Sequence, residues 1–213
     1  MNTKLLFIFL FLTFGKVAAQ SITVGSIDLA EQRARNEQLL GKGDSLISFT
    51  LRPLLQKTTF DSKKDFAFHY LPVNLKQQYT SFAPFGQNDG AMIPAKGYQT
   101  QFSARIYASY GALEIQINPE YVYALNPNFE TFPTNETNNV RLAYIHYLNH
   151  SDIPVRFGDK SYHYLGWGQS SIKLNIKNIA VGVSTENLWW GPGQKNSLIM
   201  SNNAPGFLHF TIN

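Results

Sequence analysis

No cysteine occurs anywhere in the chain, so neither a disulfide framework nor a thiolate metal site is available, and stability must come from burial and hydrogen bonding. Charge is also sparse: 15% of residues are Asp, Glu, Lys or Arg. The formal balance of +4 falls to +2 once Lys4 and Lys16 are set aside with residues 1–19, leaving 16 basic and 14 acidic side chains scattered along the sequence. Such a balance does not mark a nucleic-acid partner. Long apolar runs are missing after the first twenty residues, which excludes a helical membrane span there. Enzyme signatures are missing as well: there is no HExxH, no GxSxG, no GxGxxG and no glycine loop followed by Lys-Ser or Lys-Thr, and Gly166-Trp167-Gly168 and Gly191-Pro192-Gly193 lack the required spacing. No cofactor is implied.

What is present begins with export. Met1 to Ala19 has Lys4, an apolar core from Leu5 to Phe14 and Val17-Ala18-Ala19 before Gln20, the order of a secretory signal peptide cleaved after Ala19. Ser26 to Leu40 then reads as a helix, with Ser26 or Asp28 at its start, a loose stripe of Ile27, Ala30, Ala34 and Leu39, and Gly41 with Gly43 ending it. Ile47 to Leu51 alternates like a short strand and stops at Arg52-Pro53. From Leu54 to Gly97 the pattern is irregular, divided by Pro72, Pro84, Gly86, Gly90 and Pro94, and predicts ordered coil or short elements.

After Gly97 the period becomes two. Thr100, Phe102, Ala104, Ile106, Ala108 and Tyr110 alternate with polar neighbours; after a turn near Gly111, Leu113, Ile115, Ile117, Tyr121 and Tyr123 do the same. Gln169 to Lys177 and Ile179 to Val183 repeat the pattern around a tight turn at Lys177-Asn178, and Phe207 starts a further strand. Between these blocks, Val140, Ala143, Tyr144, Tyr147 and Leu148 fall at helical spacing, which favours a helix over a strand. Aromatic-rich, alternating segments in an exported chain suit a transmembrane β-barrel, and an exported soluble β-sandwich shares the same statistics.

Glu186 to Phe210, ENLWWGPGQKNSLIMSNNAPGFLHF, has a composition unlike either a helix or an alternating strand. Its glycines and prolines divide it into turns, and the adjacent indoles of Trp189 and Trp190 supply large apolar area with one donor each, so it reads as an ordered, aromatic-anchored loop. Within it, Asn187-Leu188-Trp189-Trp190-Gly191-Pro192-Gly193, Asn196-Ser197-Leu198 and Ser201-Asn202-Asn203-Ala204-Pro205-Gly206-Phe207 resemble the signature of the Wzi capsule-assembly family. Asn88 to Gly97 (NDGAMIPAKG) and Ser48 to Pro53 (SFTLRP) resemble the same family, in the same order. The resemblance spans about Gly25 to Asn213. It implies an outer-membrane β-barrel with a helical periplasmic part that helps hold or organise capsular polysaccharide at the cell surface.

Three chemistries can be weighed on the residues. His146 and His150 lie four apart with His163 following, a conceivable metal set, but surface or packing histidines are far commoner and no metal site is expected. Glu114 and Glu120 share the polar side of one strand, roughly 20 Å apart by strand rise, too far for a glycosidase pair; they suit a wet lumen. Carbohydrate contact needs an aromatic platform beside a few amides or carboxylates. Trp189, Trp190 and Trp167 are the candidate platforms, and Glu186, Asn187, Asn202 and Asn203 the candidate polar contacts; the bland reading is that the indoles wedge the loop in place and the asparagines satisfy its own turns.

The sequence thus predicts a mainly β chain: a signal peptide over residues 1–19, a periplasmic helical and irregular part over 20–97, and over 98–213 an antiparallel outer-membrane β-barrel with a helical insertion near 136–150. Five or six strands are too few to close in lipid, where single-chain bacterial barrels run from about 8 strands upward. The chain is therefore expected to be the N-terminal part of a longer barrel. By the resemblance its role is non-catalytic, with capsular polysaccharide and outer-membrane lipid as partners; a general outer-membrane channel and a barrel-borne glycan hydrolase are the alternatives. Nothing in the sequence reports its oligomeric state.

Overall fold

A computed structural model describes residues 21–22, 24, 29–42, 48–55, 66–70, 73–82, 84–129, 132–133, 135–148, 156–176 and 179–212. The signal-peptide reading of residues 1–19 lies outside them, as do Ser26 to Asp28 and Lys177-Asn178.

Among the described residues there are two helices. α1 is Leu29–Leu39. Glu31 in its first turn pairs with Arg35 one turn later at 2.7 Å. It ends as expected at Gly41, whose φ is +68°, with Gly41 N donating to the Gln38 carbonyl and Lys42 N to that of Glu37; these paired bonds cap the last turn. α2 is Asn138–Leu148, so the segment expected near 136–150 is a helix.

The rest is antiparallel sheet. β1 (Ser21–Ile22) pairs with β3 (Leu54–Leu55), and β2 (Leu51–Arg52) pairs with β13 (Trp189–Trp190). The larger body comprises β4 (Phe66–Tyr70), β5 (Asn74–Thr80), β6 (Gly97–Ser103), β7 (Ile106–Tyr110), β8 (Leu113–Ile117), β9 (Glu120–Ala124), β10 (Tyr162–Gly166), β11 (Ser171–Ile176), β12 (Ile179–Ser184) and β14 (His209–Ile212). They form a four-stranded sheet ordered β10-β9-β6-β5 and a six-stranded sheet ordered β14-β12-β11-β8-β7-β4.

The two sheets are halves of one meander. Ser103 lies opposite Glu120 and Ile106 opposite Ile117, an unbroken register from β6/β7 to β8/β9. Asn74 lies opposite Ser103 and Tyr70 opposite Ile106, so β4/β5 gains one residue on its neighbour. Glu120 faces Gly166 while Gln116 faces Ser171, so β10/β11 likewise gains one. These extra residues bulge the ladder and bend it between the halves. Gly168 occupies the second bulge with φ +53°, and a Cβ there would press on the Asn118 carbonyl oxygen, so only glycine fits.

Connections differ sharply between the ends of the meander. At one end β7 turns into β8 through Gly111 and Ala112, and β11 is joined to β12 by two residues. At the other end lie residues 81–96, 125–161 and 185–208.

The segment Leu54 to Gly97, expected to be ordered coil or short elements, holds the short strands β3, β4 and β5, of which β4 and β5 join the sheet. Phe66, Phe68 and Tyr70, and then Leu75, Gln77 and Tyr79, do alternate, but each run is short and Pro72 separates them. The strand expected over Ile47 to Leu51 is displaced: Ser48 to Thr50 has no strand geometry and pairing occurs at Leu51–Arg52. Among the described residues the outer edges of β14 and β4 have no partner strand, so the sheet does not close into a barrel.

One face of the sheet is covered by the chain's own loop. Ala91 and Met92 pack on Val122, Tyr162 and Tyr164, and Ile93 and Ala95 pack on Ala124. This inner face is otherwise polar, with Gln99, Gln116, Glu120, Ser171, Lys173 and Ser184 all buried. The outer face carries Phe66, Phe102, Leu165, Ile172, Leu174 and Phe210, all exposed. That is the reverse of a soluble sheet.

Candidate functional site

Three stretches far apart in sequence meet, the first and the second each bonding to the third. The first is the loop after β5. Gln99 accepts from Ile93 N at 2.9 Å and donates to the Ile93 carbonyl at 2.8 Å, copying with one side chain the bonds of a neighbouring strand. Lys76 of β5 pairs with Asp89 at 2.7 Å. Asn88 holds φ +56°, a conformation Asn tolerates better than most residues, and so aims its backbone at the third stretch.

The third stretch leaves β12 at Ser184. Glu186 is 1% exposed; it accepts from Lys173 Nζ at 3.0 Å, from Ser184 Oγ at 3.1 Å and from Gln116 Nε2 at 3.2 Å. A carboxylate this deep costs several kcal/mol in lost hydration unless a paired charge and other donors replace the water, and three donors do so here. Asn187 is saturated: it exchanges bonds with Gln169 through its backbone N and its Oδ1, and its Nδ2 donates to Asn202 Oδ1 and the Ala204 carbonyl. Asn202 in turn donates to the Asn88 carbonyl at 2.9 Å and accepts through its own carbonyl from Gly90 N at 2.8 Å. Asn203 Oδ1 accepts from Asn88 N at 2.7 Å, and Asn88 Nδ2 reaches the Lys195 carbonyl at 2.6 Å.

The second stretch, Ser48 to Pro53, holds the tryptophan turn. Arg52 Nη2 donates to the Gly191 and Gly193 carbonyls at 2.7 and 2.6 Å, its Nη1 donates to Glu31 of α1, and its guanidinium lies over the Trp189 ring at 5.1 Å. Arg35 of α1 reaches the intervening Pro192 carbonyl at 3.2 Å. Two arginines joined by Glu31 thus take all three carbonyls of Gly191-Pro192-Gly193. Burial pushes the Arg52 guanidinium below the usual arginine range, and the Glu31 carboxylate pulls it back up.

The adjacent indoles split across the short β13 strand, because successive strand residues face opposite sides. Trp189 is 1% exposed and donates Nε1–H to the Gly193 carbonyl at 3.0 Å. Trp190 is 41% exposed beside its cross-strand partner Leu51. The candidate contact residues therefore fall into three groups. Glu186, Asn187, Asn202 and Trp189 are buried in the network; Trp190 and Asn203 reach the surface near it; Trp167, 70% exposed, sits apart on the outer face next to Leu165.

The remaining titratable candidates are dispersed. His163 is hydrogen-bonded to Tyr121 at 3.0 Å, His146 lies on α2, and His150 is outside the described residues. Among the described residues no group of three or more His, Cys, Asp or Glu could hold a metal ion. Glu114 and Glu120 both point to the inner face.

Sequence reading missed Lys173, Gln116 and Gln169. Lys173 had a legible signal, as the only charge in the alternating run Ser171–Ile176. The glutamines had none.

No curated protein and no solved structure matches the chain. Among known families, residues 70–213 match the one described as capsule assembly protein Wzi. That match takes in most of the sheet and two of the three converging stretches, Asn88 to Gly97 and Glu186 to Phe207. The chain belongs to the Wzi capsule assembly protein family.

Proposed function

We propose that the chain is a non-catalytic outer-membrane protein that keeps capsular polysaccharide attached to the cell surface, with Trp190 as its principal sugar-stacking platform. The observation that carries the membrane placement is the reversed sheet, with buried polar residues inside and exposed aromatic and aliphatic residues outside. Water would penalise that outer face, and lipid would not. Its height fits: Tyr98 to Tyr110, tyrosines at both ends of one β6/β7 excursion, rise about 30 Å at a tilt near 40°, close to the ~25 Å apolar band of such barrels.

The long connections share one end and the two short turns share the other. Outer-membrane barrels keep short turns in the periplasm and long loops outside. By this reasoning the converging loops, with Trp190 and Asn203, lie toward the extracellular end, within reach of exported polysaccharide. Residues 20–97 are then not wholly periplasmic, because β2 is paired with β13 and β4 and β5 belong to the sheet.

The network supports a holding role. Glu186, three residues before Trp189 in sequence, is engaged by Lys173, Ser184 and Gln116, which suits a brace better than a proton-transfer group. The test is to remove the gene from a capsulated strain and assay cell-bound and released polysaccharide. The expected result is unchanged total polysaccharide shifted into the medium, restored by the wild-type gene and not by Trp190→Ala. A fall in total synthesis, or a change in polymer length, counts against a holding role.

A further inference from the structure

We propose that the polysaccharide held by this protein is acidic, and that Lys195, with the side-chain amides of Asn196 and Asn203, binds its carboxylates. The inference rests on the holding role argued above and narrows its ligand. It comes from charge that the converging loops leave unspent. The stretches Asn88 to Gly97 and Glu186 to Phe207 each contain one acid and one lysine. Both acids are committed to lysines of the sheet, Asp89 to Lys76 at 2.7 Å and Glu186 to Lys173 at 3.0 Å. Among the described residues neither Lys96 nor Lys195 forms an ion pair. The charge left over where the two loops meet is therefore positive.

Lys195 is the more exposed of the two lysines, and its backbone is fixed in place. Its carbonyl accepts from Asn88 Nδ2 at 2.6 Å, and Leu198 N donates to the Trp190 carbonyl at 2.6 Å, which closes residues 191–197 into one turn with Trp190 at its base. The neighbouring amides are oriented by the same meeting of loops. Asn196 Oδ1 accepts from Gln87 Nε2 at 3.2 Å, and Asn203 Oδ1 accepts from Asn88 N at 2.7 Å. With both amide oxygens taken, the Nδ2 groups of these two exposed residues remain as donors beside the Lys195 ammonium. A carboxylate only accepts hydrogen bonds, whereas a sugar hydroxyl also donates, so a donor-rich seam with no unpaired acid suits a uronic-type carboxylate better than a neutral ring. Because loop-to-loop bonds order the seam beforehand, binding spends less on ordering it.

The test uses capsular polysaccharide purified from the producing strain, and the same preparation after its carboxyl groups have been reduced to alcohols. Binding of each polymer to the full chain in detergent is measured by biolayer interferometry. Wild type is expected to bind the native polymer several-fold more tightly than the reduced one, and to lose that preference as salt is raised. Lys195→Gln should remove most of the preference without changing affinity for the reduced polymer, and Lys195→Arg should keep it. The loop network grips Lys195 by its backbone carbonyl, so neither substitution breaks a bond that holds the turn. Equal binding of the native and reduced polymers overturns the proposal with the holding role intact, and so does a preference that Lys195→Gln leaves unchanged. If neither polymer binds, the holding role fails and this proposal with it.

Discussion

Lys173 of β11 and Glu186 beyond β12 form an ion pair at 3.0 Å with both side chains almost sealed from solvent. The pair ties the wall of the sheet to the root of the tryptophan loop, and the two charges hold each other in place. Removing either partner strands the other, so Lys173→Met or Glu186→Gln should each cost about 3–5 kcal/mol. The double variant should recover much of that loss. Urea unfolding of all three in the same detergent checks the prediction; fully additive losses would mean that the pair is not coupled.

The two tryptophans should respond oppositely. Trp189→Ala empties a buried site and should destabilise the fold by about 3–5 kcal/mol. Trp190→Ala removes a half-exposed ring and should cost less than about 1 kcal/mol while lowering polysaccharide retention. Thermal unfolding beside a capsule-release assay separates the two effects.

Arg52 is the fastening of the Gly191-Pro192-Gly193 turn. Arg52→Ala leaves the Gly191 carbonyl without its side-chain donor, at about 1–3 kcal/mol for the buried group left unsatisfied, while the Gly193 carbonyl keeps Trp189 and Glu31 keeps Arg35. The turn should loosen locally, so trypsin should cut after Lys195 several-fold faster than in wild type. An unchanged cleavage rate would show that the turn holds itself.

Gly168→Ala combines a positive φ with a clash against the Asn118 carbonyl. Strain of that kind costs of order 1–3 kcal/mol, and the clash adds to it. The expected outcome is a smaller fraction of membrane-inserted chain, read by extraction with urea. Gly111→Ala, in open space at the turn, should be milder.

Much of the sheet was legible because its period is local. The alternation over 100–110, 113–125 and 170–183 gives the strands and their two faces, and Gly41 and Gly111 mark true ends. The helical spacing at Val140 to Leu148 was equally local. Less of β4 and β5 could be read, since Pro72 interrupts a pattern too short to establish its period on either side. The site itself was half-legible. Composition singles out residues 186–210 as an ordered loop, yet the meeting of Arg52, Asn88 and Asn202 depends on contacts across 114 residues and more, which no local pattern encodes. Alternation places Trp189 and Trp190 on opposite sides; only the packing around Arg52 decides which is buried.

The reversed sheet is the claim on which the rest stands, and β7 tests it most directly. Single cysteines at Ile106, Tyr107, Ala108, Ser109 and Tyr110, labelled with nitroxide in lipid vesicles, should alternate strictly, with collisions favouring oxygen, which partitions into lipid, over a water-soluble nickel chelate at 106, 108 and 110 and not at 107 and 109. Uniform exposure to the nickel chelate, or alternation of the opposite sense, would contradict a sheet whose apolar face meets lipid.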